Sequence, residues 1–306
     1  MTRTHVTFLV LFAIFLVAPV VVYPVLLMKV LCFALFACAF NLLLGFTGLL
    51  SFGHAAFLGP AGYATGYAMT RLPVTPELGL VLGTLAAAAL GAVFGGLAIR
   101  RQGIYFAMIT LALAQMVYFF CLQAPFTGGE DGLQGVPRGA LFGLVDLRND
   151  TVMYYFVLAV CVAGFAVVNR TIHSPFGQVL KAIRENEPRA LSLGYDVDRY
   201  KLVAFVLSAA LAGLAGATKT LVFGFTTLTD VHWGTSGEVV LMTLVGGVGT
   251  VLGPIVGAII IIVLQNELAD KVGPWVTVIM GVIFVATVLA FRRGIVGEIA
   301  ARIVSK

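Results

Sequence analysis

Long apolar runs, separated by short polar or glycine-rich stretches, make up most of this 306-residue chain. Seven of them have about the 20 residues that an α-helix needs to cross the ~30 Å hydrocarbon core of a bilayer. The seven predicted spans lie at 6–23, 25–45, 77–99, 103–123, 151–169, 202–224 and 274–291. The first run resembles a signal peptide, but without a small-residue cleavage site before Tyr23 it is interpreted as a retained span.

Two further apolar regions are short or interrupted. One is rich in small residues, and the other is too long for a single span and contains a glycine-rich break at 246–250 followed by Gly253 and Pro254. The short helices predicted from them lie at 56–70, 238–252 and 254–270. The pattern therefore predicts an all-α fold, a polytopic integral membrane protein of about ten membrane segments, and at least eight, in one domain over residues 1–306.

Composition and charge agree with a membrane protein. Hydrophobic residues make up 60% of the chain and charged residues 11%, and a soluble domain cannot bury that much apolar surface. With the N-terminus inside, 13 of the 19 basic residues are predicted to be cytoplasmic and 4 external, which favours ten segments. This asymmetry explains the net charge of +5 without nucleic acid. The 4 cysteines lie in apolar stretches without C-x-x-C spacing, which indicates packing residues.

The one substantial polar stretch, residues 174–194, predicts two short helices. Ser174 suits the N-cap of the first helix and Pro175 its first position. Apolar residues then recur at helical spacing: Phe176, Val179, Leu180 and Ile183. Pro188 opens a second helix, capped by Asn186 or Glu187 and closed by Gly194. An amphipathic pair of this kind either docks a soluble partner or lies on the lipid surface.

Two glycine-rich interruptions, 45–57 and 246–257, are candidates for a translocation pathway. Non-helical backbone at membrane depth is tolerated only where it is buried in protein or lines a cavity, and transporters place their pathways at broken helices. Close packing of small residues is the alternative. Polar residues in or beside the spans are the candidate pathway residues: Asn41, Ser51, His54 and Gln115. For His54 a structural role is favoured, since no carboxylate or cysteine stands near it in the sequence.

The sequence contains no catalytic constellation or metal-ligand spacing, so an enzyme and a cofactor are not expected. Residues 213–220 come within one residue of a phosphate-binding loop, but Thr218 replaces a required glycine and the context is an apolar helix. Any ATP hydrolysis therefore has to come from another chain. Lys219 is predicted to extend to the outer interface. All 14 carboxylates fall in predicted loops or near helix ends, which disfavours an ion-coupled carrier.

Five blocks of sequence resemble the permease family of branched-chain amino acid ABC importers, in detail its M-type subunit. They are 41–67 (NLLLGFTGLLSFGHAAFLGPAGYATGY), 103–115 (GIYFAMITLALAQ), 127–137 (TGGEDGLQGVP), the cytoplasmic loop 182–206, and 246–258 (GGVGTVLGPIVGA). The resemblance extends over residues 25–294. The chain departs from the family pattern at Glu130, at Lys219 and before Arg293-Gly294, where a proline is expected.

This resemblance implies an importer in the bacterial inner membrane that is driven by ATP bound to partner subunits. The expected partners are a homologous second permease, two cytoplasmic ATPase subunits and a periplasmic binding protein that meets the external loop 124–150. The loop 170–200 is expected to couple to the ATPase through Phe176, Gly177, Arg184, Glu185, Asn186, Glu187, Ala190 and Gly194. Branched-chain or related hydrophobic amino acids are the expected substrates; urea, short amides, aromatic acids, sugars and a stand-alone carrier remain alternatives.

Overall fold

The computed structural model describes residues 13–20, 22–72, 74–290 and 294–298. Within these residues the regular structure is almost entirely helical, with one small hairpin of β1 (Ala140–Leu141) and β2 (Val145–Asp146). The helices are α1 (Pro24–Thr47), α2 (Ala55–Arg71), α3 (Pro76–Ala98), α4 (Ile104–Gln123), α5 (Asp150–His173), α6 (Pro175–Glu185), α7 (Glu187–Ser192), α8 (Val197–Phe223), α9 (Trp233–Gly246), α10 (Gly253–Val272) and α11 (Val276–Ala290). The first part of the predicted first span, residues 6–12, lies outside the described residues.

Helix α1 is the centre of the bundle. It packs against α5, α8, α9 and α10, and almost every residue from Val30 onward is buried. A helix that is apolar on all sides is expected in such a position. Gly48 ends α1 in the left-handed conformation (φ +78°), where its N–H and that of Leu49 bond to the last free carbonyls of the helix.

Small residues allow α2, α3 and α8 to pack backbone against backbone. A Cβ added to Gly216 would lie 2.0 Å from the carbonyl oxygen of Leu58, and one on Gly213 would lie 2.2 Å from the Cβ of Ala87. Close approach through small residues is the usual way in which membrane helices associate. The 4 cysteines are free, in agreement with their predicted packing role.

The glycine-rich break after residue 246 forms a tight turn between α9 and α10. Two short helices are predicted here, but α9 both begins and ends earlier than the predicted 238–252. A Cβ on Gly246 would lie 1.9 Å from the carbonyl oxygen of Gly253, and one on Gly257 would lie 1.8 Å from that of Met242. These glycines are required because the two helices touch through their backbones just beside the turn.

The connection between α8 and α9, residues 224–232, is irregular apart from one 3₁₀ turn, Leu228–Asp230, and lies within the bundle beside α2. Thr226 pairs with Leu133 in an isolated β-bridge, and a Cβ on Gly59 would lie 2.3 Å from Val231. Further along, the Ser236 hydroxyl accepts a hydrogen bond from the backbone N–H of Ala55 at 2.9 Å. Irregular backbone at this depth is tolerated because the surrounding helices bury it.

Two sequence predictions about charges differ from the structure. Asp230 is 7% exposed and pairs with Lys219, whose side chain is 13% exposed, so Lys219 stays within the bundle instead of reaching the interface. Glu238, predicted at a helix end, lies in the second turn of α9 and accepts a hydrogen bond from Gln265 at 3.2 Å. Carboxylates therefore do lie among the helices.

Among the described residues, five helices are long and apolar enough to span a membrane: α1, α3, α4, α5 and α8. Two apolar segments of α10 and α11, Gly253–Ala269 and Val278–Thr287, are shorter, and α2 and α9 have 17 and 14 residues. The chain is thus an all-α, multi-pass membrane protein in which full-length and short helices are combined.

Candidate coupling site

The polar stretch forms the predicted helix pair, and each helix has a side-chain cap. The Ser174 hydroxyl accepts a hydrogen bond from the N–H of Gly177 at 3.2 Å and begins α6. The Asn186 side chain accepts one from the N–H of Arg189 at 3.0 Å and begins α7, so Asn186 is the cap and Glu187 is the first helical residue. Gly194 follows α7 with φ +86°, and a Cβ at this position would meet no atom within 4 Å. Glycine is therefore favoured there by the left-handed backbone conformation and not by a lack of space.

The apolar stripe of α6 is covered by the protein itself. Leu180 and Ile183 are buried, and Ile183 packs with Ala190 and Val197 in a small core shared by α6, α7 and α8. The Phe176 ring stacks on Tyr200 of α8 at 5.5 Å between centroids. This coverage favours a docked element over a helix that lies on lipid.

Gly177 is fixed by the joint between α5 and α6. A Cβ at this position would lie 2.3 Å from the carbonyl oxygen of Thr171 and 2.5 Å from that of Ile172. Because backbone atoms cannot move aside as a flexible side chain can, any larger residue has to push α6 away from the end of α5. The loop is therefore held at a defined angle to the bundle.

Glu187 is engaged within the chain. Its carboxylate lies 2.6 Å from the ammonium of Lys201, whose side chain is only 3% exposed, and accepts a hydrogen bond from Gln102 at 2.8 Å. These contacts hold the start of α7 against α8 and the connection between α3 and α4. An effect of Glu187 on a partner is therefore expected through the orientation of α7.

We expect Glu187→Gln to loosen α7, because it leaves the buried Lys201 ammonium without a counter-charge; breaking such a pair costs ~3 kcal/mol. Amide hydrogen exchange across residues 187–205 should accelerate. Glu185→Gln is the matched control, since Glu185 is exposed and precedes the Asn186 cap. Equal rates of amide exchange in the two variants would show that Glu187 does not tether α7.

Arg184 connects α6 to both glycine-rich interruptions. Its guanidinium donates a hydrogen bond to the carbonyl oxygen of Gly45 in the last turn of α1. Its side chain also fills the space beside Gly48, where a Cβ would lie 3.2 Å from Cγ of Arg184. A Cβ on Gly249 would lie 3.0 Å from Nη1 of Arg184, so the turn between α9 and α10 meets the same side chain.

Asn41 completes this connection one turn earlier in α1. Its side-chain N–H donates to the carbonyl oxygen of Thr250 at 2.8 Å, and its oxygen accepts from the N–H of Gly249 at 2.9 Å. A single amide thereby satisfies two backbone groups of the turn between α9 and α10, as expected for a polar side chain that holds broken helices together. We name Arg184, Asn41, Gly45 and Gly249 the coupling junction.

The other candidate pathway residues do not meet at this junction. Ser51 is buried and its hydroxyl accepts from the N–H of Gly53 at 3.3 Å, while Gln115 is half-buried on α4. A pathway role for the four polar candidates stays a prediction.

His54 is fully buried among aromatic rings, with the Phe40 ring at 5.2 Å. The Ser208 hydroxyl donates to the carbonyl oxygen of Ala39 at 2.5 Å, so Nε2 of His54 has to be the donor in its 2.9 Å contact with Ser208. The remaining ring nitrogen, Nδ1, has no hydrogen-bond partner among the described residues. These contacts support the structural role favoured from the sequence.

Large apolar side chains are exposed on the outer surface of the loop, and the sequence analysis missed them. Leu191 is 55% exposed, Leu193 69% and Tyr195 39%. They lie beside the exposed polar residues Asn186 and Arg189. The available signal was that both leucines fall outside the apolar stripe of α6, in an otherwise polar segment.

The fold and this loop define the class of the protein: a helical, multi-pass membrane protein of the permease type. Among the described residues, no group of three or more His, Cys, Asp or Glu side chains could hold a metal ion. Residues 24–288 match the family model described as the permease component of the branched-chain amino acid transport system, and the chain belongs to this family.

Curated relatives agree with this assignment. The high-affinity branched-chain amino acid transport system permease protein LivM of Escherichia coli (strain K12) is 31% identical over 258 residues, 75% of this chain and 60% of the relative. A probable LivM of Methanocaldococcus jannaschii is 26% identical over 71% of this chain and 65% of the relative. The autoinducer 2 import system permease protein LsrC of Klebsiella pneumoniae is 29% identical over 56% of this chain and 50% of the relative.

The matched part of the chain thus spans about 60% of the length of the Escherichia coli LivM protein. No solved structure matches the chain.

Proposed function

We propose that this chain is a membrane subunit of an ATP-driven importer for branched-chain or related hydrophobic amino acids. The observation that carries the proposal is the coupling junction, because it connects the helix pair α6–α7 to both breaks in the membrane helices. Family membership supports the same function. The partners are a second permease subunit, two cytoplasmic ATPase subunits that bind the ATP, and a binding protein outside the membrane.

In the proposed mechanism, the ATPase binds the exposed surface of α7 and the residues after it. Since α6 and α7 share a core with α8, a displacement of α7 moves α6 with it. Arg184 then shifts the end of α1 and the turn between α9 and α10 together. ATP favours one of two orientations of the bundle to the extent that the ATPase binds that orientation more tightly.

The proposed topology has ten membrane segments, with the loop 170–200 in the cytoplasm of a bacterial cell and the loop 124–150 outside. The distribution of basic residues supports this orientation. The short helices α2, α9 and α10 count as membrane segments because they pack around α1 and α8 within the bundle.

Names of relatives support the substrate class but do not fix it. Two LivM relatives are named for branched-chain amino acid transport, whereas LsrC is named for import of autoinducer 2. The hydrophobic amino acid assignment therefore rests on the relatives with the larger share of aligned sequence.

We expect the double variant Leu191→Asp, Leu193→Asp to lose the ATPase subunit. Two leucines that contribute ~1 kcal/mol each to a docking surface remove ~2 kcal/mol together, so affinity should fall by roughly 30-fold. Co-purification of the ATPase with the membrane subunits measures this. The control is Leu144→Asp, which changes a leucine of 89% exposure between β1 and β2, outside the coupling loop.

Leucine uptake into vesicles tests the energy source. Uptake should require ATP and the ATPase, and should disappear in the Leu191→Asp, Leu193→Asp variant. Uptake by this chain without any ATPase would show a stand-alone carrier and overturn the proposal.

A further inference from the structure

An apolar cavity of about 420 Å³ lies between α2, α3 and α4, away from the coupling junction. Its wall is formed by the three helices and the connection after α4, with Tyr63 and Ala64 from α2, Leu90 from α3, and Val117 and Cys121 from α4. Helix α4 packs loosely at the edge of the bundle, since far fewer of its residues are buried than of those in α1. The cavity is the space that this loose packing leaves.

The wall carries no charged side chain that could pair with a charged ligand. The Thr127 hydroxyl is engaged by the carbonyl oxygens of Cys121 and Ala124, at 2.5 and 2.6 Å. The Tyr63 hydroxyl is enclosed at the wall and has no hydrogen-bond partner among the described residues. Burying a charged group here would cost several kcal/mol. A complete amino acid zwitterion is therefore excluded from the interior of the cavity, and a hydrocarbon group fits its chemistry.

Three aromatic rings surround the part of the cavity nearest to the connection after α4. Tyr67, Phe120 and Phe126 are 38%, 61% and 48% exposed, and the Phe126 ring lies 5.9 and 6.0 Å from the other two. Aromatic rings of this kind concentrate at the boundary between hydrocarbon and water. In contrast, Tyr63 and Cys121 in the inner wall are 4% and 3% exposed.

We propose that this cavity binds a fatty-acyl chain of an outer-leaflet lipid, with the polar end of the lipid near the aromatic rings. Water in an apolar cavity lacks hydrogen-bond partners, and an empty cavity loses the dispersion contacts of its lining atoms. An acyl chain from the bilayer fills the space without desolvation of any polar group. The volume also suits a long group, since a cavity of ~150 Å³ already holds benzene.

The test is photo-crosslinking in nanodiscs of phosphatidylethanolamine and phosphatidylglycerol, with a trace of phosphatidylglycerol that carries a diazirine on one acyl chain. The full chain is reconstituted with the subunits that co-purify with it, and labelled residues are identified by mass spectrometry. We expect label on Tyr63, Ala64 and Cys121, which a lipid outside the cavity cannot reach. Labelling of Met116, 67% exposed on the same helix as Cys121, gives the reference.

Cavity-filling variants supply the decisive comparison. Ala64→Trp should reduce inner-wall labelling relative to Met116 by about tenfold, a difference of ~1.4 kcal/mol. Val117→Trp fills the same space from α4 and replaces the first variant should that one fail to fold. Leu85→Trp is the control, since Leu85 is 60% exposed on α3 and does not line the cavity.

Two results would overturn the proposal. Inner-wall labelling that is equal in the cavity-filling and control variants would mean that the probe reports only surrounding lipid. Loss of inner-wall labelling in the presence of saturating free leucine would assign the cavity to an amino acid side chain. The leucine carboxylate and ammonium would then lie at the aromatic rings.

Discussion

The Arg184→Ala variant is expected to hydrolyse ATP but to import poorly, because the link between α6 and the coupling junction is cut. Arg184 contributes a charge-assisted hydrogen bond to Gly45 and contacts the turn at Gly249. Coupling free energies of ~1–3 kcal/mol correspond to about 5- to 150-fold changes, so uptake per ATP should fall by about tenfold. The measurement is leucine uptake and ATP hydrolysis in the same vesicles.

Two further variants separate coupling from simple destabilisation. Arg101→Ala removes an equal charge from the exposed connection between α3 and α4, outside the helix pair α6–α7, and should leave uptake per ATP close to that of the unmodified chain. Arg184→Lys keeps the charge but loses the planar fork, and an intermediate ratio is expected. Should Arg184→Ala lower uptake and hydrolysis in equal proportion, Arg184 would act on assembly or stability and not on coupling.

Local signals made the coupling loop predictable. Ser174, Asn186 and Gly194 determine where α6 and α7 begin and end, and such capping chemistry acts within a few residues of the chain. The break at 246–250 was visible for a similar reason, because clustered glycines interrupt an apolar run. In both cases the deciding interaction lies close in sequence to the residues that reveal it.

The long-range contacts of the coupling junction were not predictable in this way. Arg184 and Gly45 are 139 positions apart, and Asn41 and Thr250 are 209 apart. Nothing in either local sequence indicates the other, since an arginine off the apolar stripe looks like an ordinary solvated residue. A polar residue in a span was correctly recognised as unusual at Asn41, but its partner depends on the packing of α9 and α10 against α1.

The connection 224–232 misled the sequence interpretation because its composition is that of a surface loop. Asp230 was placed in a predicted loop, whereas this stretch is held inside the bundle by close contacts with α2 and by the bridge between Thr226 and Leu133. The presence of Asp230 among the helices also weakens the earlier reason for disfavouring ion coupling. Ion coupling is still disfavoured, because the Asp230 carboxylate is already paired with Lys219.

The second large effect is expected at this ion pair. Lys219→Met or Asp230→Asn alone should destabilise the protein by ~3–5 kcal/mol, because each leaves an uncompensated charge or a broken network at a site where both side chains are nearly buried. The double variant Lys219→Met, Asp230→Asn should recover most of this loss. The asparagine can still accept from the N–H of Thr227, which lies 3.3 Å from Asp230 in the unmodified chain.

A double-mutant cycle on the unfolding free energy in detergent measures the interaction, and a coupling energy of ~2 kcal/mol or more is expected for a buried pair. Arg138→Met, Asp150→Asn and their combination provide the matched comparison, since that pair has side chains of 23% and 46% exposure and should show a coupling of ~1 kcal/mol or less. Leucine uptake by the double variant distinguishes a structural role of the Lys219–Asp230 pair from a direct role in transport. If the double variant regains stability and still imports with ATP, the pair holds residues 224–232 in place; if it is stable but inactive, Asp230 or Lys219 participates directly in transport.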